Sequence, residues 1–314
     1  MYVKKEAVLS SQIEGTQSSL TDVLNAEAEI SNPETPKDVE EVINYVRAMN
    51  HGLDRLPDLP VSIRLIKEIH SILLTQTRGQ HLDPGELRTS QNWIGPQGCS
   101  LKDALYVPPP AHEVSAALSE WEKYIHAPSE LPLLVRIGLA HAQFESIHPF
   151  LDGNGRIGRL LITFLLCERD VLTSPVLYLS HYFRANRERY YELLQRTRDP
   201  GDWEGWLNFF LDGVAEVANE ATGTARKIVD LRERHRALLQ EEFGRTAANG
   251  LKVLESLYSR PIVSVQAIAD ITNVSFPAAS QMMNRFVNSG ILTEVTGQAR
   301  YRKYRYLEYI AIFS

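Results

Sequence analysis

Residues 148–159 read HPFLDGNGRIGR. These twelve positions hold one histidine (His148), one acid (Asp152), one asparagine (Asn154), three glycines and two arginines. Apolar residues then fall at Ile157, Leu160, Leu161, Phe164 and Leu165, a 3.6-residue period that predicts a helix. A glycine-rich turn running into a helix presents free backbone N–H groups at the positive end of the helix dipole, which makes an anion site. Gly153, Asn154 and Gly155 form the predicted cradle, because glycine lets the backbone approach a phosphate closely and take positive φ. Arg156 and Arg159, three apart on the new helix, reach back over its start and pair with phosphate oxygens. Asp152 would repel phosphate unless a cation sat between them, so Mg²⁺ is implied, with Asp152 as its ligand. His148 is placed to act as general base near neutral pH. The chemistry suggested is attack on phosphorus, with the phosphates held by backbone and arginine. Taken singly, each feature is ordinary: a turn, a His–Pro loop, a surface ion pair. Their combination within twelve residues, in chemically sensible order, singles the stretch out.

Helices must carry this loop. LPLLVRIGLAHAQFESI, just before it, is apolar nearly all round and predicts a helix buried mid-domain. SIRLIKEIHSILLTQ, AHEVSAALSEWEKYIHA and the proline-started PKDVEEVINYVRAMNHGLDRL read as helices too. So does SLTDVLNAEAEI, where Ser19 and Asp22 form a capping-box pattern. Residues 87–110 break the trend. They are rich in Gly and Pro, and TSQNWI and ALYV read as the strands of an irregular β-hairpin ended by three prolines.

HPFLDGNGRIGR resembles the Fic-family signature at every fixed position, and the resemblance extends outward over roughly residues 1–215. SSQIEG, residues 10–15, is similar to that family's inhibitory-helix motif, with Ser10 and Glu14 at its fixed positions. One departure is that nine residues precede Ser10, where related bacterial proteins have more helix. RTSQNWIG and the following YVPPP resemble the family's flap, and RERYYELLQ resembles its nucleotide-pocket helix. The resemblance implies a mainly α fold, a Fic helical core with a small β-hairpin flap, and transfer of AMP from ATP to a Ser, Thr or Tyr hydroxyl of a target protein. His148 would take the hydroxyl proton. Asp152 would hold Mg²⁺, and the ATP-binding set would run from Asp152 through Gly153, Asn154, Gly155, Arg156, Ile157 and Gly158 to Arg159. Tyr190 and Tyr191 would lie near the nucleoside, and Trp93, Ile94 and Gly95 on the flap. The flap, residues 87–110, would dock the target by β-augmentation. Glu14 would engage Arg159 and occupy the site that arginine offers to the γ-phosphate. Self-modification and a homodimer are further implied partners, and transfer of another phosphate-containing group or removal of AMP are alternative activities.

The C-terminal part changes character. AANGLKVLESLYSR, SVQAIADITNV and SFPAASQMMNRFVNSG read as three short helices, followed by two strands around Gly297, which is the winged helix-turn-helix pattern. The expected organisation is an N-terminal inhibitory and helical segment (1–60), a catalytic core (61–215), a linker helix (216–244) and a winged-helix domain (245–314). Residues 250–314 carry seven Lys or Arg against four Asp or Glu, and Arg300, Arg302, Lys303 and Arg305 are interleaved with tyrosines. A DNA-binding regulator is therefore the competing function class. The predicted recognition helix offers only Arg285, and winged helices also dock proteins.

Bulk properties set limits. The 314 residues are 44% hydrophobic, enough for two or three cored domains, and the net charge of −6 does not point to nucleic acid overall. Two cysteines, Cys99 and Cys167, make no disulfide framework. The first fifteen residues lack a signal peptide's apolar run, and no stretch is long enough to span a membrane. A cytoplasmic location, with no membrane partner, is the expectation.

Overall fold

The computed structural model describes residues 1–30, 35–95 and 98–313. The chain forms two compact units that do not follow chain order: Tyr2–Ser18 with Lys37–Ala218, and Met1, Ser19–Pro36 and Asn219–Ser314. The expected 1–60 segment is thus divided between them.

The larger unit holds α1 (Tyr2–Ile13), then α3 (Val39–Arg55), α4 (Ile63–Leu73), α5 (Val114–His126), α6 (Leu133–Ile147), α7 (Asn154–Glu168), α8 (Ser180–Ala185) and α9 (Arg187–Arg198). It also holds α10 (Trp203–Glu242) as far as Ala218. The helix α2 (Leu20–Glu27) belongs to the smaller unit. At the centre α6 packs between α5 and α7, while α1 lies against α3 and α8. Phe144 and Ile147 of α6 are buried, as are Ile157, Leu160 and Phe164 of α7. Each side chain of this size stabilises by about 1.5–3 kcal/mol. Small residues on α6 let neighbours reach its backbone: the indole N–H groups of Trp121 and Trp206 donate to the Ala140 and Gly138 carbonyls, both at 2.8 Å. The helix stops at His148, whose backbone is left-handed, and Pro149 follows, which cannot continue it.

The flap departs from the expected hairpin. Within it, strand pairing among the described residues reduces to one antiparallel bridge, Ile94 with Tyr106. Prolines 108–110 have no N–H to give a ladder. Side chains meet the carbonyls instead: Arg88 donates to Ser90 and Pro109, and Gln91 to Pro108. Residues 96 and 97 of the expected flap lie outside the described residues.

In the smaller unit, Ser19 and Asp22 form the reciprocal capping box at the start of α2. After α10 come α11 (Ala247–Leu257), β1 (Ile262–Ser264), α12 (Val265–Thr272), α13 (Phe276–Asn288), β2 (Thr293–Glu294), β3 (Lys303–Arg305) and α14 (Leu307–Ala311). The strands form an antiparallel sheet in the order β1-β3-β2, with Ile262 and Thr293 both opposite Arg305. β1 and α14 were not read from the sequence: three residues are too few to show alternation and five too few to show a helical period. Among the described residues no helix is long and apolar enough to cross a membrane.

Candidate active site

The loop between α6 and α7 carries the chemistry. His148 sits at φ 49°, ψ 61°. A non-glycine residue there bears strain of about 1–2 kcal/mol, so its surroundings must hold it. Its Nδ1 lies 3.4 Å from the Glu145 carbonyl, which can only accept, so Nδ1 carries the proton and Nε2 keeps its lone pair. Burial, then the Arg198 guanidinium, holds the His148 pKa down to about 4. The ring is therefore neutral at pH 7, the form a general base needs.

Gly153 opens α7 at φ 79°. That left-handed turn leaves the first amides of α7 aimed out of the helix start. Asn154 is buried and clamps the loop rather than facing out: its Oδ1 accepts from the Phe150 amide and its Nδ2 donates to the Phe150 carbonyl, both at 2.8 Å. His70 braces the same loop from α4. It accepts from the Gly85 amide at 2.8 Å, donates from Nε2 to the Asp152 carbonyl at 3.0 Å, and stacks on Phe150. Ile157 is buried under the cradle, and Gly158 leaves space taken by the Glu145 carboxyl.

The two arginines are held differently. Arg156 is 2% exposed and lies between Glu41 at 3.4 Å and Asp152 at 3.6 Å. Arg159 is gripped by α1 and the turn that follows it. Its Nε donates to Ser10 Oγ at 2.8 Å, and Nη2 donates to the Ser10 carbonyl at 3.1 Å and to Glu14 Oε1 at 2.6 Å. Burial works against the Glu14 charge, but the Arg159 guanidinium outweighs it and keeps the carboxyl below the usual range. A Cβ on Gly155 would overlap Glu14 Oε1, so that glycine admits the carboxylate to the mouth of the cradle. Arg187 donates to the Ile13 carbonyl at 2.9 Å and fixes the end of α1.

Tyr190 and Tyr191 part ways. Tyr190 is fully buried among Phe183, Trp206 and His141, and its hydroxyl is 2.8 Å from His141 Nε2. Tyr191 is 37% exposed, close enough to Glu14 and Arg159 to feel both charges, with Arg187 over its ring. On the flap, Trp93 is exposed and its indole donates to the Cys99 carbonyl, Ile94 holds the bridge, and Gly95 packs beside Cys99. Arg88, Asn92, Tyr106 and Arg198 converge on the end of α6. These four escaped the sequence reading, since each bond spans some 40–60 residues and leaves no local pattern. His70 did leave a trace, as a polar residue within the apolar stripe of α4.

Among the described residues no three His, Cys, Asp or Glu side chains cluster to cage a metal. Asp152 accepts from the Gly153 amide through Oδ1 and is 32% exposed at its side chain. One carboxylate at the edge of an anion cradle suits Mg²⁺ shared between protein and substrate phosphates, and so the residues fit the ion.

A mainly helical body whose central loop joins a left-handed histidine, a glycine cradle and an arginine pair defines the class. The Fic/DOC family model matches residues 60–166, the Fic/DOC family N-terminal model matches residues 1–54, and the chain belongs to this family. Among its relatives, Protein adenylyltransferase Fic of Drosophila willistoni is 30% identical over 178 residues, 55% of this chain and 32% of the relative. The Culex quinquefasciatus protein of the same name is 31% identical over 157 residues, 48% and 27%. The chain spans about a third of the length of the curated relatives it matches. The fold is shared with a Fic family protein from Desulfovibrio desulfuricans G20, at TM-score 0.61 and 20% identity over 97% of this chain and 86% of that one. It is shared also with Fic-1 from C. elegans, at TM-score 0.52 and 23% identity over 69% and 61%.

Proposed function

We propose that the protein transfers AMP from ATP to a Ser, Thr or Tyr hydroxyl of a target protein, and that Glu14 holds this activity in check. The observation that carries the reading is the loop 148–159, where a neutral histidine stands beside a glycine-opened helix start and a buried arginine. His148 Nε2 takes the proton of the attacking hydroxyl. The hydroxyl oxygen bonds to the α-phosphorus while the bond to the bridging oxygen breaks, and pyrophosphate leaves. The amides from Gly153 to Gly155 stabilise phosphate charge, with Arg159 and Arg156 supplying cation. Asp152 is the residue that would hold Mg²⁺, which when bound neutralises phosphate charge. Tyr191, the exposed member of the pair, meets the nucleoside, and Tyr190 supports it from the core. Trp93, Ile94 and Gly95 offer a flap edge to the target. Ser10 presents Arg159, and Glu14 occupies it.

The test uses the purified protein and its Glu14→Gly variant with ATP labelled at the α- or γ-phosphate, in a cell lysate. Label from the α position alone should enter protein, the protein itself included. Incorporation of γ-label would replace AMP transfer by phosphoryl transfer.

We read the smaller unit as a winged-helix module. Arg300, Tyr301 and Arg302 are exposed on the turn between β2 and β3, which favours a phosphate contact. Arg285 is already committed to the Glu242 and Phe243 carbonyls and Thr246 Oγ. The exposed positions of α13, such as Gln281 and Asn284, carry no cation. Salt-dependent retention on duplex DNA, lost in an Arg300→Ala/Arg302→Ala variant, would establish this second activity. The free Cys99 and Cys167 suit a reducing compartment, and the cytoplasm is the location we propose.

A further inference from the structure

The last turn of α6 ends in carbonyls that no intrahelical amide can satisfy. Four in succession are met from outside the helix. Glu145 accepts from Arg198 Nη2 at 3.1 Å, and Ser146 from the Tyr106 hydroxyl at 2.9 Å. Ile147 accepts from Arg88 Nη2 at 3.5 Å. His148 accepts from Arg88 Nε at 2.9 Å and from Asn92 Nδ2 at 3.3 Å. Arg198 does more than its share. Its Nε donates to Ser146 Oγ at 3.1 Å, and its guanidinium lies 4.0 Å from the centre of the Tyr106 ring. One side chain from the end of α9 thus touches both α6 and the flap.

We propose, building on the transfer reading above, that Arg198 is a positioning residue of that reaction, tying α6, α9 and the flap together so that His148 keeps its left-handed backbone. The strain at His148 needs such over-determination to persist. A planar guanidinium suits the task, because its fixed fork can reach a carbonyl, a hydroxyl and a ring face at once. The same cation acts through space on the imidazole. The charged groups acting on His148 are Arg198 from α9, Arg88 from the flap and Glu14 just past the end of α1. After burial, Arg198 contributes most to keeping the ring unprotonated. A merely structural arginine would not carry this second effect. The arrangement also links the flap to the base: a target pressing on the flap acts on Tyr106, and Tyr106 acts on the turn that ends in His148.

The test follows the histidine ring signals of the full chain by NMR from pH 5 to 8, in wild type, Arg198→Met and Arg198→Lys. In wild type and Arg198→Lys the His148 ring stays neutral throughout. In Arg198→Met its midpoint rises by about one unit, so that protonation becomes visible near pH 5. In parallel, within a Glu14→Gly background, Arg198→Met lowers kcat for AMP transfer by about tenfold to a hundredfold with KM for ATP little changed. A folded Arg198→Met protein with an unmoved His148 midpoint, or with undiminished kcat, overturns the proposal. Should Arg198→Met not fold, Tyr106→Phe carries the kinetic arm: loss of the Ser146 contact should lower kcat with the His148 titration unchanged, and an unchanged kcat refutes the clamp. If neither wild type nor Glu14→Gly transfers AMP at all, the transfer reading fails, while the NMR arm still decides on Arg198.

Discussion

Glu14→Gly tests the reading most sharply, because nothing near Glu14 in sequence ties it to the loop. In the structure Arg159 has five N–H groups. Nε and one from Nη2 are taken by Ser10, and Glu14 takes the other Nη2 donor at 2.6 Å. Only Nη1 remains to a phosphate while Glu14 is in place. Removing the carboxylate frees the second donor and also the space against Gly155, while the two Ser10 bonds keep the guanidinium where it is. A buried charge-assisted hydrogen bond contributes about 1.5–3 kcal/mol, so its loss should raise occupancy of the competent ATP pose by about tenfold to a hundredfold. The assay is the initial rate of α-labelled AMP incorporation into the protein and into lysate targets, at low and at saturating ATP. The gain should vanish in Glu14→Gly/Arg159→Ala, since Arg159 is the group released. Equal rates for Glu14→Gly and wild type at every ATP concentration would refute the argument and leave the Glu14–Arg159 pair as a structural tie.

His148→Ala should abolish transfer while ATP still binds, as read by incorporation and by equilibrium binding; retained transfer would remove the general-base role. EDTA should stop transfer and Mg²⁺ restore it, with Asp152→Ala indifferent to the ion; activity in chelator would mean Asp152 has another task. Stability should peak slightly below neutral pH. Burial lifts the Glu6 and Glu145 carboxyls to about 7, above their unfolded values, so their contribution is lost as pH rises through 7, by up to about 3 kcal/mol each. His70, His141 and His148 are held to about 4, 3 and 4, below their unfolded values, so theirs is lost as pH falls below about 6.5. Denaturant midpoints at pH 6.5 and 8 should differ in wild type and differ less in Glu145→Gln; equal differences would place the titrating group elsewhere.

The helices around the loop were legible because burial writes itself in the pattern: α6 is apolar nearly all round and α7 repeats every 3.6 residues. The loop was legible because its chemistry is contiguous, from His148 to Arg159. What could not be read were the partners brought in from a distance. Glu41 reaches Arg156, Arg88 and Asn92 reach the His148 carbonyl, and Glu6 on α1 accepts from Ser180 on α8. Each is a single polar residue whose meaning depends on tertiary closure. The flap keeps the pairing of an irregular hairpin as one bridge, because the prolines opposite TSQNWI have no amides to extend it beyond Ile94 and Tyr106. Tyr190 and Tyr191 are neighbours in sequence, yet one faces the core and the other the surface, as helical geometry requires of adjacent positions.

Gly155 bears on how this protein can change over evolutionary time. Its missing side chain leaves the room that the Glu14 carboxylate fills. On the proposed reading the same bare backbone would serve phosphate, so a substitution there that unseats Glu14 would cost transfer as well. Release from Glu14 with transfer kept would then come through Glu14 itself or the residues that seat it. The loop would be barred from drift, while position 14, just past the end of α1, would be left free to vary.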